Sequence, residues 1–200
     1  MPVQVGIYIF DNVEVLDFAG PYEVFTCASR VHRGEKPLFN VFTVGETLET
    51  IRARAGLKLT PEATIDNHPP IDCLIIPGGV VDAELAKNNV IEWIYQQSLK
   101  TVITSSVCTG SFLLAKAGIL SGKSATTHWE DIPDFRMMFP QVFVKEELRW
   151  VDEGPIVTSA GISAGIDMSL HLVERFSDRA LAELTAKQLA FDWTGNKPTI

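Results

Sequence analysis

Between Val102 and Leu114 a β-branched run stops at Cys108 and passes at once into a helix-compatible stretch. No loop separates the two halves, so the chain must turn sharply from strand to helix. Strands that alternate with helices build parallel sheets covered on both faces. The turn sets one thiol at the carboxyl end of a strand, where open α/β sheets place their ligand sites. A G-x-S-x-G turn presents a serine nucleophile in the same way. On this segment alone two readings stand: a nucleophile, or a buried structural thiol, since free cysteine is among the most buried residue types.

The same alternation runs along the chain. Val3 to Phe10 reads as a strand, broken by Asp11-Asn12. Val15 to Val31 has helical spacing, and Gly20-Pro21 predicts an early kink or a separate first turn. Phe39 to Val44 is a second strand and Ile51 to Leu59 a short hairpin or an excursion. Cys73 to Ile76 is a strand ended by Pro77-Gly78-Gly79, followed by one or two helices over Asp82 to Leu99. Strand Val102 to Val107 and helix Gly110 to Ala117 flank Cys108. Ala125-Thr126-Thr127 leads into His128-Trp129, and Glu130 to Phe139 reads as helix. Short strands follow at 142–144, 148–151 and 156–159. Ser163 to Phe176 and Arg179 to Trp193 close the pattern as helices, with Ser177 or Asp178 as the N-cap of the last. The tail at Gly195-Asn196-Lys197-Pro198 is expected to fray.

Composition narrows the function. The 200 residues are 46% hydrophobic and 21% charged, which suits one domain with a sizeable core. A net charge of −8 without a Lys/Arg-rich run argues against nucleic acid as a partner. The first residues lack a signal-peptide pattern and no apolar stretch reaches the roughly 18 residues of a membrane span. A cytoplasmic location without membrane contact is the expectation. Cys27, Cys73 and Cys108 form no disulfide framework or zinc spacing. His32, His68, His128 and His171 show no H-x-x-x-H or H-E-x-x-H pattern, so neither metal nor other cofactor is expected.

Several residues are candidates around Cys108. A helix start just after it would favour thiolate, and the Thr109 N–H can face the same space. Gly78-Gly79 is either a plain tight turn or a second backbone donor for an oxyanion. Asp17, in an apolar setting after the first strand, is either a helix-start residue or a working carboxylate. His128 is either a base for the thiol or a hydrogen-bonded structural histidine. Glu23 fits an exposed helical face, and His171 fits packing or surface. Trp129 and Trp150 suit core or a pocket wall.

Five ordered blocks resemble the ThiJ/PfpI superfamily over about Val3 to Phe191. They are Asp17-Phe18-Ala19-Gly20-Pro21-Tyr22-Glu23-Val24-Phe25, Ile75 to Gly79, Ser106 to Gly110, Ala125 to Trp129 and Thr158 to Asp167. Asp17, Thr109 and the Thr126-Thr127-His128-Trp129 run are most similar to the isocyanide hydratase branch. Sensory domains of AraC-type regulators share nearly the same blocks but continue into a helix-turn-helix module, which is not expected here. The protease-like branch carries histidine where Thr109 stands, so peptide cleavage is not expected either.

The resemblance implies a flavodoxin-like α/β sandwich, with a mainly parallel sheet and helices on both faces, usually assembled as a homodimer. It implies a strained backbone at Cys108, an Asp17 side chain that reaches its sulfur, and a His128 that stands near the site without being the base. The expected activity is hydration of a small electrophile, an isocyanide above all. Cys108 would attack, Asp17 would move the proton, and Thr109 with Gly78-Gly79 would orient substrate or water. The alternatives are a metabolite or oxidation sensor built on Cys108, or another amidase- or glyoxalase-type activity.

Overall fold

The computed structural model of the chain describes residues 1–196. Its strands are β1 (Val3–Tyr8), β2 (Phe39–Gly45), β3 (Ile51–Arg52), β4 (Lys58–Leu59), β5 (Ala63–Thr64), β6 (Cys73–Ile76), β7 (Ile103–Val107), β8 (Ser124–Ala125), β9 (Phe143–Val144), β10 (Trp150–Asp152) and β11 (Ile156–Ser159). Its helices are α1 (Val15–Val31), α2 (Asp82–Leu85), α3 (Asn88–Ser98), α4 (Gly110–Lys116), α5 (Ile132–Met138), α6 (Ala164–Phe176) and α7 (Arg179–Gln188).

Seven strands form one sheet in the order β10-β11-β7-β6-β1-β2-β5. Neighbours are parallel except β10 with β11. Helices α1, α6 and α7 pack together, and α2, α3 and α4 form a second group. From β1 the chain moves outward to β2 on one side, while β6 lies on its other side. That reversal opens a crevice at the carboxyl ends of the strands, the usual ligand position in such sheets.

The sheet centre is dry. Val5, Ile7, Leu74, Ile75 and Ile76 are fully buried, as strands covered on both faces require. Strand β7 instead buries Thr104, Ser105 and Ser106. Their small size lets neighbours approach, and Thr104 Oγ1 shares a hydrogen bond with Thr101 Oγ1 at 2.7 Å. Ser105 Oγ donates to the Leu74 carbonyl at 3.1 Å and Ser159 Oγ to the Ser106 carbonyl at 3.3 Å.

Three details depart from the sequence reading. Helix α1 runs unbroken through Gly20-Pro21. Pro21 forfeits one helical hydrogen bond, while Gly20 admits α6: a Cβ there would meet Ile166 Cγ1 at 2.9 Å. Helix α7 ends at Gln188 rather than Trp193. Ala190 turns left-handed at φ +50°, and the Phe191 N–H closes back on the Ala186 carbonyl at 3.0 Å, a helix-terminating pattern. The segment beyond it is not frayed up to Asn196. Thr194 N–H donates to Asp167 at 3.0 Å, and Asn196 Oδ1 accepts from Trp150 N–H at 3.0 Å. Lys197 and Pro198 lie outside the described residues. Elsewhere the expected hairpin forms as β3–β4, and Asp178 caps α7 by accepting from Leu181 N–H at 2.8 Å.

Candidate active site

Cys108 adopts φ +55°, a left-handed conformation that costs an L-residue roughly 1–2 kcal/mol. Hydrogen bonds hold it there. Its N–H donates to the Ser159 carbonyl at 3.1 Å. Its carbonyl accepts from Ser111 N–H at 3.3 Å, Ser111 Oγ at 3.1 Å and Thr127 Oγ1 at 3.0 Å. Strain persists where its surroundings over-determine it, and here three segments do so. The next glycine is obligatory: a Cβ on Gly110 would come 2.0 Å from the Ile76 carbonyl oxygen. Helix α4 can therefore start directly against the end of β6.

Asp17 does not cap its own helix, whose N-cap is Glu14 without a side-chain bond. Its Oδ2 instead accepts from Gly78 N–H at 3.1 Å. The carboxyl is fully buried, and Oδ1 has no hydrogen-bond partner. Burial is the main reason its pKa rises to about 7, with Glu14 adding to it. The Gly78 N–H, the neighbouring Cys108 thiol and Arg54 pull the other way.

The thiol is shifted as well. Only 7% of Cys108 is exposed, and its pKa lies above the ordinary thiol range. Burial is the first cause and the Asp17 charge the second, against a smaller opposing effect of the Thr109 N–H. The sequence reading expected a helix start to favour thiolate. Helix α4 has seven residues, and burial beside a carboxylate outweighs its short dipole.

The Gly78-Gly79 turn is likewise occupied from within. Gly78 N–H is taken by Asp17, and Gly79 N–H donates to Thr109 Oγ1 at 2.9 Å. That hydroxyl in turn donates to the Gly79 carbonyl at 2.9 Å. The turn thus positions Asp17 and Thr109, and neither N–H is open as an oxyanion donor. Gly79 itself sits at φ +141°, where a Cβ would meet the Asn12 carbonyl oxygen at 2.3 Å. Thr109 N–H remains directed at the sulfur.

A cleft of about 280 Å³ opens over the thiol, lined by Cys108, Thr109, Gly79, His128 and Ile162 together with Glu14, Arg54, Glu130 and Asp131. His128 Nδ1 lies 3.4 Å from Asp131 Oδ2. One point above Gly161 Cα lies 2.6 Å from His128 Cδ2 and 2.8 Å from Cys108 Sγ, so imidazole and sulfur flank the same spot. Asp131 is raised in pKa, chiefly by burial, with His128 opposing. Arg54 Nη1 pairs with Glu14 Oε2 at 3.1 Å. The sequence reading missed Glu14, Arg54, Asp131 and Ile162; the short hairpin that carries Arg54 into the cleft was its one visible signal. Of the tryptophans, Trp129 is 72% exposed and Trp150 stacks on His171 at 3.9 Å, away from the cleft. His171 itself pairs with Asp152 at 2.7 Å, and Glu23 with Arg30 at 2.7 Å. Cys27 and Cys73 are buried and free.

An open, mainly parallel sheet with a cysteine held at positive φ at a strand end defines a class of α/β fold. The chain belongs to the DJ-1/PfpI family, which it matches over residues 3–175. It is 33% identical to isonitrile hydratase from Pseudomonas putida, over 96% of this chain and 79% of that protein. It is 30% identical to the HTH-type transcriptional regulator GbdR from Pseudomonas aeruginosa, over 98% of this chain but only 53% of the regulator. The chain thus spans about half the length of that relative. Among solved structures it resembles a ThiJ/PfpI family protein from Pseudomonas syringae, with TM-score 0.84 and 26% identity, covering 96% of this chain and 76% of that one. Drosophila melanogaster DJ-1beta shares the fold at TM-score 0.81 and 18% identity, covering 96% and 100%. Among the described residues no helix is long and apolar enough to cross a membrane.

Proposed function

We propose that the protein hydrates isocyanides to N-substituted formamides. The observation that carries this reading is a nearly buried thiol, held at positive φ beside a fully buried carboxyl with a free oxygen. An isocyanide carbon must gain both a sulfur and a proton. A protonated thiol with an adjacent carboxylate supplies both at one centre.

In the first step Asp17 takes the Cys108 proton and hands it to the isocyanide carbon as sulfur bonds to that carbon. The S–H bond breaks, C–H and C–S bonds form, and the product is a thioimidate. An incoming water meets His128 and Asp131, which line the cleft. The pair takes one proton from water and delivers it to the imidate nitrogen while oxygen bonds to carbon. When the C–S bond breaks, the hydroxyl proton returns to sulfur by way of Asp17. The balance is one isocyanide and one water in, one formamide out. Thr109 holds the Gly79 turn and offers its N–H to the sulfur.

The 33% identical isonitrile hydratase supports this choice of substrate. The 30% identical regulator favours a second reading, binding of a small molecule without turnover. Incubation with an alkyl isocyanide and detection of formamide separates the two. Turnover that vanishes in Cys108→Ala supports hydration; full turnover in that variant, or none in the wild type, overturns it. The homodimer belongs to the same proposal, and light scattering in solution tests it.

A further inference from the structure

A second hollow of about 320 Å³ lies beside the catalytic cleft and shares Gly79, Thr109 and Asp131 with it. The two spaces therefore adjoin at Thr109. Their walls differ. Around the thiol the side chains are largely charged: Glu14, Arg54, Glu130 and Asp131 beside His128. An apolar group seated there would strip water from those charges without replacing it. The second hollow gathers Val80, Val81, Leu85, Phe112 and Met138 beside three aspartates, Asp82, Asp131 and Asp134, whose charge opposes an anionic group. Phe112 and Val81 are buried at its base, whereas Val80 is 45% and Met138 49% exposed. Half-exposed apolar side chains gathered around a hollow next to a nucleophile suit a ligand's apolar part.

Isocyanide geometry supplies the link. The C≡N–R unit is linear, so the substituent leaves the reacting carbon in one fixed direction. With the carbon on Cys108 Sγ, this hollow is the adjoining space, since Thr109, the next residue, borders both. We infer that the groove between α2, α4 and α5 is the subsite for the substituent on the isocyanide nitrogen, and that it selects alkyl or aryl groups of several carbons over small or anionic ones. This inference rests on the hydratase reading above.

The test compares methyl, n-pentyl and benzyl isocyanide with isocyanoacetate on the wild type, Val80→Asp and Met138→Asp. Both substituted positions are half-exposed, and thermal melting verifies that the variants fold. In the wild type, kcat/KM is expected to rise at least about tenfold from methyl to n-pentyl or benzyl, with isocyanoacetate lowest. In the variants KM for the larger substrates is expected to rise about tenfold at unchanged kcat, with methyl isocyanide within about twofold of wild type. Equal kcat/KM for methyl and n-pentyl isocyanide, or an equal loss on both in the variants, overturns the groove and leaves the hydratase reading standing. Absence of turnover with every member overturns the hydratase reading and the groove with it.

Discussion

The Cys108 thiol and the Asp17 carboxyl lie against each other in a buried site, and burial raises the pKa of both. Above about pH 7 the pair holds one proton, on sulfur, and below it Asp17 takes up a second. This differs from a thiolate nucleophile made by a helix start or a histidine cation. It fits a reaction in which the carbon that takes the sulfur also takes the proton.

Activity should therefore follow the ionisation of Asp17. Below about pH 7 the carboxyl gains its own proton and no longer accepts the one on sulfur. The expected kcat/KM falls about tenfold per pH unit on the acid side and levels off above neutrality. Asp17→Asn keeps an acceptor for Gly78 N–H, so it should fold, lose about 10²–10⁴-fold in rate and lose the acid limb. A variant that retains the limb would remove Asp17 from the mechanism.

The same carboxyl makes stability depend on pH. Its folded pKa, about 7, lies above the ordinary 3.8, so folding takes up a proton there. The stabilisation is fully present below about pH 4 and is lost as pH rises through about 7. Urea midpoints of wild type relative to Asp17→Asn should decline over that window. A constant difference from pH 4 to 8 would contradict the raised value.

Cys108 should also be a slow target for reagents. A protonated, nearly buried thiol reacts through a small thiolate fraction. Iodoacetamide labelling at pH 7.5, followed by intact mass, is expected to be slower than with glutathione. Peroxide should oxidise Cys108 no faster than the free thiol. Preferential early oxidation would favour the sensor reading instead.

Thr109 is expected to act through the turn that it ties. Its hydroxyl satisfies both the N–H and the carbonyl of Gly79. Thr109→Val leaves both without that partner and should cost about 1–3 kcal/mol of stability; Thr109→Ser should restore most of it. Thermal melts of the pair measure this, and equal melting of Val and Ser variants would refute the role.

A second buried charge anchors the C-terminal segment. Asp167 is fully buried and accepts from Arg149 Nε at 2.8 Å and from the N–H and hydroxyl of Thr194. Arg149→Ala leaves that carboxylate without its cation, and a loss of about 3–5 kcal/mol is expected in urea unfolding. A loss below about 1 kcal/mol would show that the backbone and hydroxyl donors suffice.

Much of this was legible in the chain because it is local. The stop at Cys108, the Pro77-Gly78-Gly79 turn and the Asp178 cap each lie within a few residues of their signals. Five ordered blocks carried the family for the same reason. Gly20-Pro21 misled, since its local breaking tendency yields to the close approach of Ile166 from α6, which no neighbouring residue announces.

What the sequence determined by itself, then, was an alternating α/β chain and which residue types gather at its strand ends. Tertiary structure decided how they are used. Gly78 lies 61 residues from Asp17 and Gly79 lies 30 from Thr109, so the turn that read as either a plain tight turn or a second backbone donor has its N–H groups filled by those two side chains. Asp131 and Arg54 reach the cleft from separate elements. The protonation of Cys108 is also a tertiary property. A helix start alone would lower its pKa, but exclusion of water beside a buried carboxylate raises it, and only packing determines how much water is excluded.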